Sequence, residues 1–270
     1  MTTPEQMRDA WDKFAAGYDE AVTPFSMRIA EDALRRVDIR PGMRLLDVAA
    51  GSGALSIPAA RLGAQVLSTD FSAAMAGRLN VRAREEGLSN LESRVMDGHS
   101  LDLEDNTFDI SASQFGIMLF PDRPRALGEL ARVTKPGGHA LMVVFGPPPN
   151  VEAFAFFFGA MRAAVSGFTP PQDSPLFSLQ DPEELRREMA AAGLKDIRVE
   201  TVNHDMEIQS ATHLWDMLTS AAPPIGALVA NLTEEQRAAV QQALDGMFRQ
   251  RSGGGPAVLN MQVRIGIGTK

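Results

Sequence analysis

From Arg44 onward, short apolar runs alternate with helical stretches: RLLDVAA, LSIPAARLG, AQVLSTD, SAAMAGRLNVRAREEG, LESRVMD, FDISASQFG, RALGELARVT and HALMVVF. This pattern predicts a doubly wound α/β sheet, because a parallel strand needs a helical crossover to return. Runs such as LLDVAA and LMVVF lack strict polar alternation, as expected of strands covered on both faces. This core is expected over 41–146, after N-terminal helices in 1–40. Beyond it, GPPPN breaks the chain and an aromatic helical insert occupies 147–180. A helix and strand follow over 181–210, with Asp181 as N-cap, Pro182 in the first turn and Gly193 as the stop. A second helical insert covers 211–252, with Thr233 and Gln236 spaced as a capping box before RAAVQQALDGMFRQR, and 253–270 holds a final strand.

Composition narrows the chemistry. The 270 residues include no cysteine, which removes disulfides, thiolate-bound metal centres and thiol nucleophiles. A formal charge of −8, with the acidic residues spread along the chain, argues against nucleic acid as a partner. No segment reaches the roughly 18 consecutive apolar residues of a membrane span, and a cytoplasmic protein, monomeric or homodimeric, is expected. No cluster of carboxylates or histidines suggests a metal.

The run Asp47-Val48-Ala49-Ala50-Gly51-Ser52-Gly53 joins the first strand to a helix. Its glycines allow a ligand close to the backbone, and the helix start turns free N–H groups toward it; an ordinary tight turn has the same composition. Asp70 closes the next strand, where a carboxylate can accept both hydroxyls of a ribose. Ser72 stands nearer the following helix and is the better cap for it. A nicotinamide enzyme favours a third small residue after this loop, but Ser56 stands there, and Asp47 would repel a pyrophosphate while suiting an ammonium group.

An ordered series of segments, WDKFAAGYD, LLDVAAGSG, STDFSAAM, VMDGHSL, FDISASQFGIMLFPD and ARVTKPGGHALMV, resembles the class I S-adenosylmethionine-dependent methyltransferases of the ubiquinone and menaquinone biosynthesis type. The resemblance covers about 11–145 and implies a Rossmann-like, seven-stranded sheet with its last strand antiparallel. It also implies S-adenosylmethionine as cofactor and S-adenosylhomocysteine as product. By the resemblance, Ala49, Gly51 and Gly53 pass the methionine part, Asp47 serves its amino end, Gln114 reaches its amine or its carboxylate, and Asp70 takes the ribose. Phe71 and Met75 would flank the adenine, and Met96, Asp97 and Gly98 its amino group. Tyr18 would sit in a lid helix over the methionine end, with Phe14 on the same face.

The acceptor is expected to be a small, largely apolar molecule, aromatic and quinone-like ones included, methylated at oxygen, carbon or nitrogen. Its pocket is expected from Phe14, Phe115, Phe154, Phe157, Phe158 and Trp215; five of the 14 phenylalanines fall within 154–168. No catalytic base is assigned; His204 and His213, beside or within the second insert, are the candidates. The fourth strand ends Ser113-Gln114-Phe115-Gly116, without the Asn/Asp-Pro-Pro-aromatic motif of amino-group DNA methylation. The alternatives are an NAD(P)-dependent oxidoreductase and a cofactor-binding regulatory protein without turnover.

Overall fold

A computed structural model describes residues 3–270. Seven strands form one sheet: β1 (Arg44–Val48), β2 (Gln65–Asp70), β3 (Leu91–Val95), β4 (Phe108–Gln114), β5 (Thr134–Phe145), β6 (Lys195–Ile208) and β7 (Ala257–Thr269). Their order is β3-β2-β1-β4-β5-β7-β6, with β7 antiparallel to both neighbours and the first five strands mutually parallel. The order reverses between β1 and β4, so a crevice opens beyond their carboxyl ends, where ligands of such sheets bind.

The helices are α1 (Pro4–Ala21), α2 (Thr23–Arg35), α3 (Ser56–Arg61), α4 (Ala73–Glu85), α5 (Arg123–Val133), α6 (Glu152–Ala164), α7 (Pro182–Ala191), α8 (Ala211–Ala221), α9 (Pro223–Ala230) and α10 (Glu234–Ser252). Several begin on caps legible in the sequence: Ser72 Oγ accepts from Met75 N, Asp181 accepts from Glu183 N, and Thr233 and Gln236 close a reciprocal box. Ser72 thereby leaves Asp70 free of that task. Gln114 pairs with Val143, which pairs with Ile265, one residue before Gly266. Alternation therefore puts Gln114 and Gly266 on opposite faces. α2 covers the first, receiving the Gln114 amide on the Ser26 carbonyl, and α7 covers the second, with Leu185 and Met189 against Gly266. Arg123 of α5 grips Glu188 of α7 through both carboxylate oxygens.

Two segments depart from expectation. Pro136-Gly137-Gly138, which separates the expected helix RALGELARVT from the expected strand HALMVVF, is a bulge inside β5: Phe108 pairs with Thr134, but Ile110 pairs with His139. Gly137, at φ +78°, keeps its N–H bonded to the Lys270 carbonyl, so the extra residues leave the sheet intact. The second insert is three helices, because Pro223 and Pro224 cannot continue α8 and instead begin α9. Phe108, Phe157 and Phe248 are at most 2% exposed, each contributing about 2–3 kcal/mol of apolar burial.

Candidate functional site

The loop after β1 is held in a conformation most side chains avoid. Gly51 and Gly53 have φ of +55° and +99°, and Ala49 adopts +56° without the freedom of glycine. Strain of this kind, about 1–2 kcal/mol per residue, persists where the surroundings over-determine it. Here Ala50 N donates to the Thr69 carbonyl, and Gly51 N donates to Asp70 Oδ2 at 2.8 Å. Asp70 Oδ1 accepts from Ser72 N at 2.9 Å, so one carboxylate ties the loops after β1 and β2 together. Burial nevertheless pushes its pKa up to about 6 against the pull of those amides.

Asp47, 1% exposed, is the second buried carboxylate. Its Oδ2 accepts from Ser56 Oγ at 2.6 Å, and Ser56 in turn accepts from Ser68 at 2.6 Å. Oδ1 has no partner. Burial, opposed by the Ser56 bond and reinforced by the charge of Asp70, pushes Asp47 up to about 7. Gln114, at the end of β4, gives its amide to the Ser26 carbonyl at 2.9 Å and leaves Oε1 unpartnered. Unsatisfied buried acceptors around a strained glycine loop, with no cation among the described residues paired to either carboxylate, suit a ligand that brings a positive charge and donors.

The N-terminal helices close over this crevice. Asp12 accepts from Ser72 Oγ and, at 3.1 Å, from Ala74 N at the start of α4; Asp19 pairs with Arg78 and Arg82 farther along that helix. Thr23 bonds Ser52 of the glycine loop at 2.5 Å. Tyr18 lies against the loop, 3.5 Å from where a Cβ on Gly51 would stand. Desolvation, then the charges of Asp70 and Asp47, hold its phenol well above the usual range.

Beyond Tyr18 lies a cavity of about 80 Å³, bounded by Trp11, Phe25 and Ser26 of the N-terminal helices, Phe115 and Phe145 at strand ends, and Phe154 of α6. Met118, Met206, Met217 and Met261 complete much of the wall. Phe115, another left-handed residue at φ +56°, stacks on Phe145 with centroids 4.4 Å apart. A larger groove of about 460 Å³, lined by Arg44, Gln65, Asn90 and Phe108, is at the amino ends of the strands, where the link from β3 to β4 includes no helix. It is remote from the glycine loop.

The residues singled out in the sequence fall into three groups. Tyr18, Asp47, Ala49, Gly51, Gly53, Asp70 and Gln114 gather at the crevice. Met75 is 2% exposed in the first turn of α4, and Phe71 is half-buried beside it. Met96, Asp97 and Gly98 follow β3; Asp97 is exposed and accepts from His99 N and ring, while Gly98 fits beneath Phe120. Of the expected acceptor residues, Phe115 and Phe154 line the cavity. Phe14 packs on Gly226 of α9, and Phe157 sits between Phe158 and Trp215, outside the lining.

Neither histidine candidate lines the cavity. His204 Nε2 is 3.6 Å from Asp32, its pKa lowered by burial despite that carboxylate, and His213 Nδ1 accepts from Gln209 N. The sequence reading missed Asp12, Thr23, Phe25 and Ser26. Asp12 and Asp19 carried a usable signal, being seven residues apart on one helix face; the others become site residues only through packing.

Comparison with known proteins agrees with this geometry. Residues 46–142 match the model of a methyltransferase domain. An uncharacterized protein of Mycobacterium tuberculosis is 38% identical over 138 residues, covering 51% of this chain and 47% of that protein. The match thus spans about half the length of that relative. A demethylmenaquinone methyltransferase of Streptomyces avermitilis is 34% identical over 151 residues, 54% of this chain and 62% of that one. The YcgJ protein of Bacillus subtilis shares the fold, with a TM-score of 0.57 at 19% identity over 91% of this chain and 97% of that one. Residues 46–142 thus form a methyltransferase domain, set in a seven-stranded sheet whose β7 is antiparallel to its neighbours.

Proposed function

We propose that this protein transfers a methyl group from S-adenosylmethionine to a small apolar acceptor held in the cavity beside Tyr18. The observation that carries this reading is the set of buried, unpartnered acceptors at Asp47 Oδ1 and Gln114 Oε1, facing a loop opened by left-handed residues. Those groups fit the cationic amino end of the cofactor. Asp70 would take the ribose hydroxyls, keeping its grip on the loop amides. Ala49, Gly51 and Gly53 would let the backbone approach, Phe71 and Met75 would pack on the adenine, and Met96, Asp97 and Gly98 would border its amino group. Tyr18 and Phe115 stand where the crevice meets the cavity.

The cofactor supplies an electrophilic methyl on a sulfonium. The chain's part is positioning and exclusion of water, which suffice for much of the acceleration of a direct displacement. α1 and α2 seal the crevice, and the rings of Phe115, Phe145 and Phe154 make the acceptor side apolar. The Streptomyces relative, a demethylmenaquinone methyltransferase, supports the same reading of an apolar, quinone-like acceptor.

Calorimetry against S-adenosylhomocysteine and NAD tests the reading. The expected result is binding of adenosylhomocysteine alone, followed by its release in a screen of flat apolar acceptors. Tight NAD binding without adenosylhomocysteine binding would replace the reading with that of an oxidoreductase.

A further inference from the structure

The acceptor cavity contains hydrogen-bond donors but no base. Among the described residues lining it there is no Asp, Glu, His, Lys or Arg, and its polar side-chain groups are the hydroxyls of Tyr18 and Ser26 and the indole N–H of Trp11, all of them donors. Ser26 is 1% exposed, and its Oγ has no partner. A helical serine commonly bonds back to the carbonyl a turn earlier; this one does not, while its own carbonyl is occupied by Gln114. Tyr18 lies on the glycine-loop side of the cavity, and burial, reinforced by the charges of Asp70 and Asp47, keeps its phenol protonated, hence a donor. Those two carboxylates do not line the cavity and are the natural partners of the cofactor's cationic end.

A neutral phenol or alcohol entering this cavity would find nothing to take its proton. An amine would become a cation on methylation, in an apolar chamber with no carboxylate to receive it, which low polarity disfavours. An anion attacking a sulfonium is the opposite case: two charges disappear, and a low-dielectric site favours that displacement. Hydroxyl donors are also the groups that stabilise a buried oxyanion.

We propose that the acceptor is a flat weak acid, an acidic enol or phenol, that enters already ionised and whose anionic oxygen is received by the hydroxyls of Ser26 and Tyr18. The inference rests on the methyl-transfer reading above and specifies its substrate class. The acceptor's proton goes to solvent before entry. In the cavity, an oxygen lone pair forms the new bond to the methyl carbon as the S–CH3 bond breaks. The sulfur keeps that electron pair as a neutral thioether, and the acceptor leaves as a neutral methyl ether. The stacked Phe115 and Phe145 rings offer a flat wall, and the four methionines let the rest of the cavity adapt to the acceptor's outline.

The test uses the full chain saturated with S-adenosylhomocysteine and titrated with 4-nitrophenol, which ionises near neutral pH. Its neutral methyl ether 4-nitroanisole and the flat amine 4-nitroaniline are the comparisons. The phenolate absorbance reports binding without turnover. Nitrophenolate should bind at least about tenfold more tightly than either neutral compound, and Ser26→Ala should lose about that factor for the anion only. Tyr18→Phe should do likewise in a protein with no other tyrosine. In turnover with S-adenosylmethionine, the pH at which the rate rises should move with the acidity of each nitrophenol tried.

Equal binding of anion and neutral compounds, a rise fixed at one pH for every acceptor, or preferential methylation of the amine overturns the inference while leaving a methyltransferase. Failure of adenosylhomocysteine to bind removes both readings.

Discussion

The glycine-loop crevice and the apolar cavity share a wall at Tyr18, yet they are built on opposite plans. The crevice is polar and strained: two buried carboxylates, an amide oxygen without a partner, and left-handed backbone at Ala49, Gly51 and Gly53. The cavity is aromatic and thioether-rich, with strain confined to Phe115. Most of the crevice comes from strand ends and the turns after them, so rigid sheet geometry sets its atoms. The cavity draws on segments as distant as Trp11 and Met261, and only packing of the inserts brings them together. A site that must hold one ligand identically is placed on strand ends; one that selects among acceptors is placed on helices that can change without disturbing the sheet.

This division can be broken most forcefully at Asp70. Asp70→Ala removes the carboxylate that joins the two loops and would hold the ribose, and at least about a hundredfold loss of adenosylhomocysteine affinity is expected by calorimetry. Retained affinity would mean the crevice does not depend on that group.

A subtler test uses proton linkage. Asp47 and Asp70, at about 7 and 6, stand above ordinary carboxylate values. A raised folded pKa contributes stability that is full below the unfolded value, about 4, and is lost as pH rises through the folded one. The ligand-free protein should therefore lose melting temperature between pH 5 and 8, and Asp47→Asn should flatten the slope. Over the same window adenosylhomocysteine should bind more tightly and release protons, because its ammonium favours the ionised carboxylates. A wild-type melting temperature that climbs with pH in that range would contradict the assignment.

The smallest expected effect lies at Gly17. α1 approaches α8 so closely there that a Cβ would sit 2.3 Å from the Ser220 carbonyl oxygen. Gly17→Ala should cost about 1–3 kcal/mol in a denaturant melt and shift α1. Acceptor turnover should suffer more than adenosylhomocysteine affinity, since the cavity depends on α1 and α8 together. Equal losses would show that the two regions are not separable.

How much was legible beforehand follows the same division. The doubly wound core, the caps at Ser72, Asp181 and Thr233, and the placing of Asp47, Gly51 and Asp70 at strand ends follow from local pattern, because each is set by neighbours within a few residues or by its place at a strand end; Gln114 was singled out only through the family resemblance. Phe154 and Phe157 could not be told apart in the sequence: both are apolar on one helix, yet Phe154 meets Phe145 and the cavity while Phe157 meets Trp215. The histidines were attractive by type and by insert, but β6 carries His204 to Asp32 and a capping turn occupies His213.

By itself, then, the sequence determined the order of strands and helices and the chemistry of the glycine crevice, since backbone conformation, capping and strand ends are short-range constraints. Tertiary structure alone decided which apolar side chains face a cavity, that Ser26 stands there with an unpartnered hydroxyl, and that Asp12 latches α1 to α4. Hydrophobicity specifies burial without direction; the partner that a buried side chain meets depends on how helices distant in sequence cross.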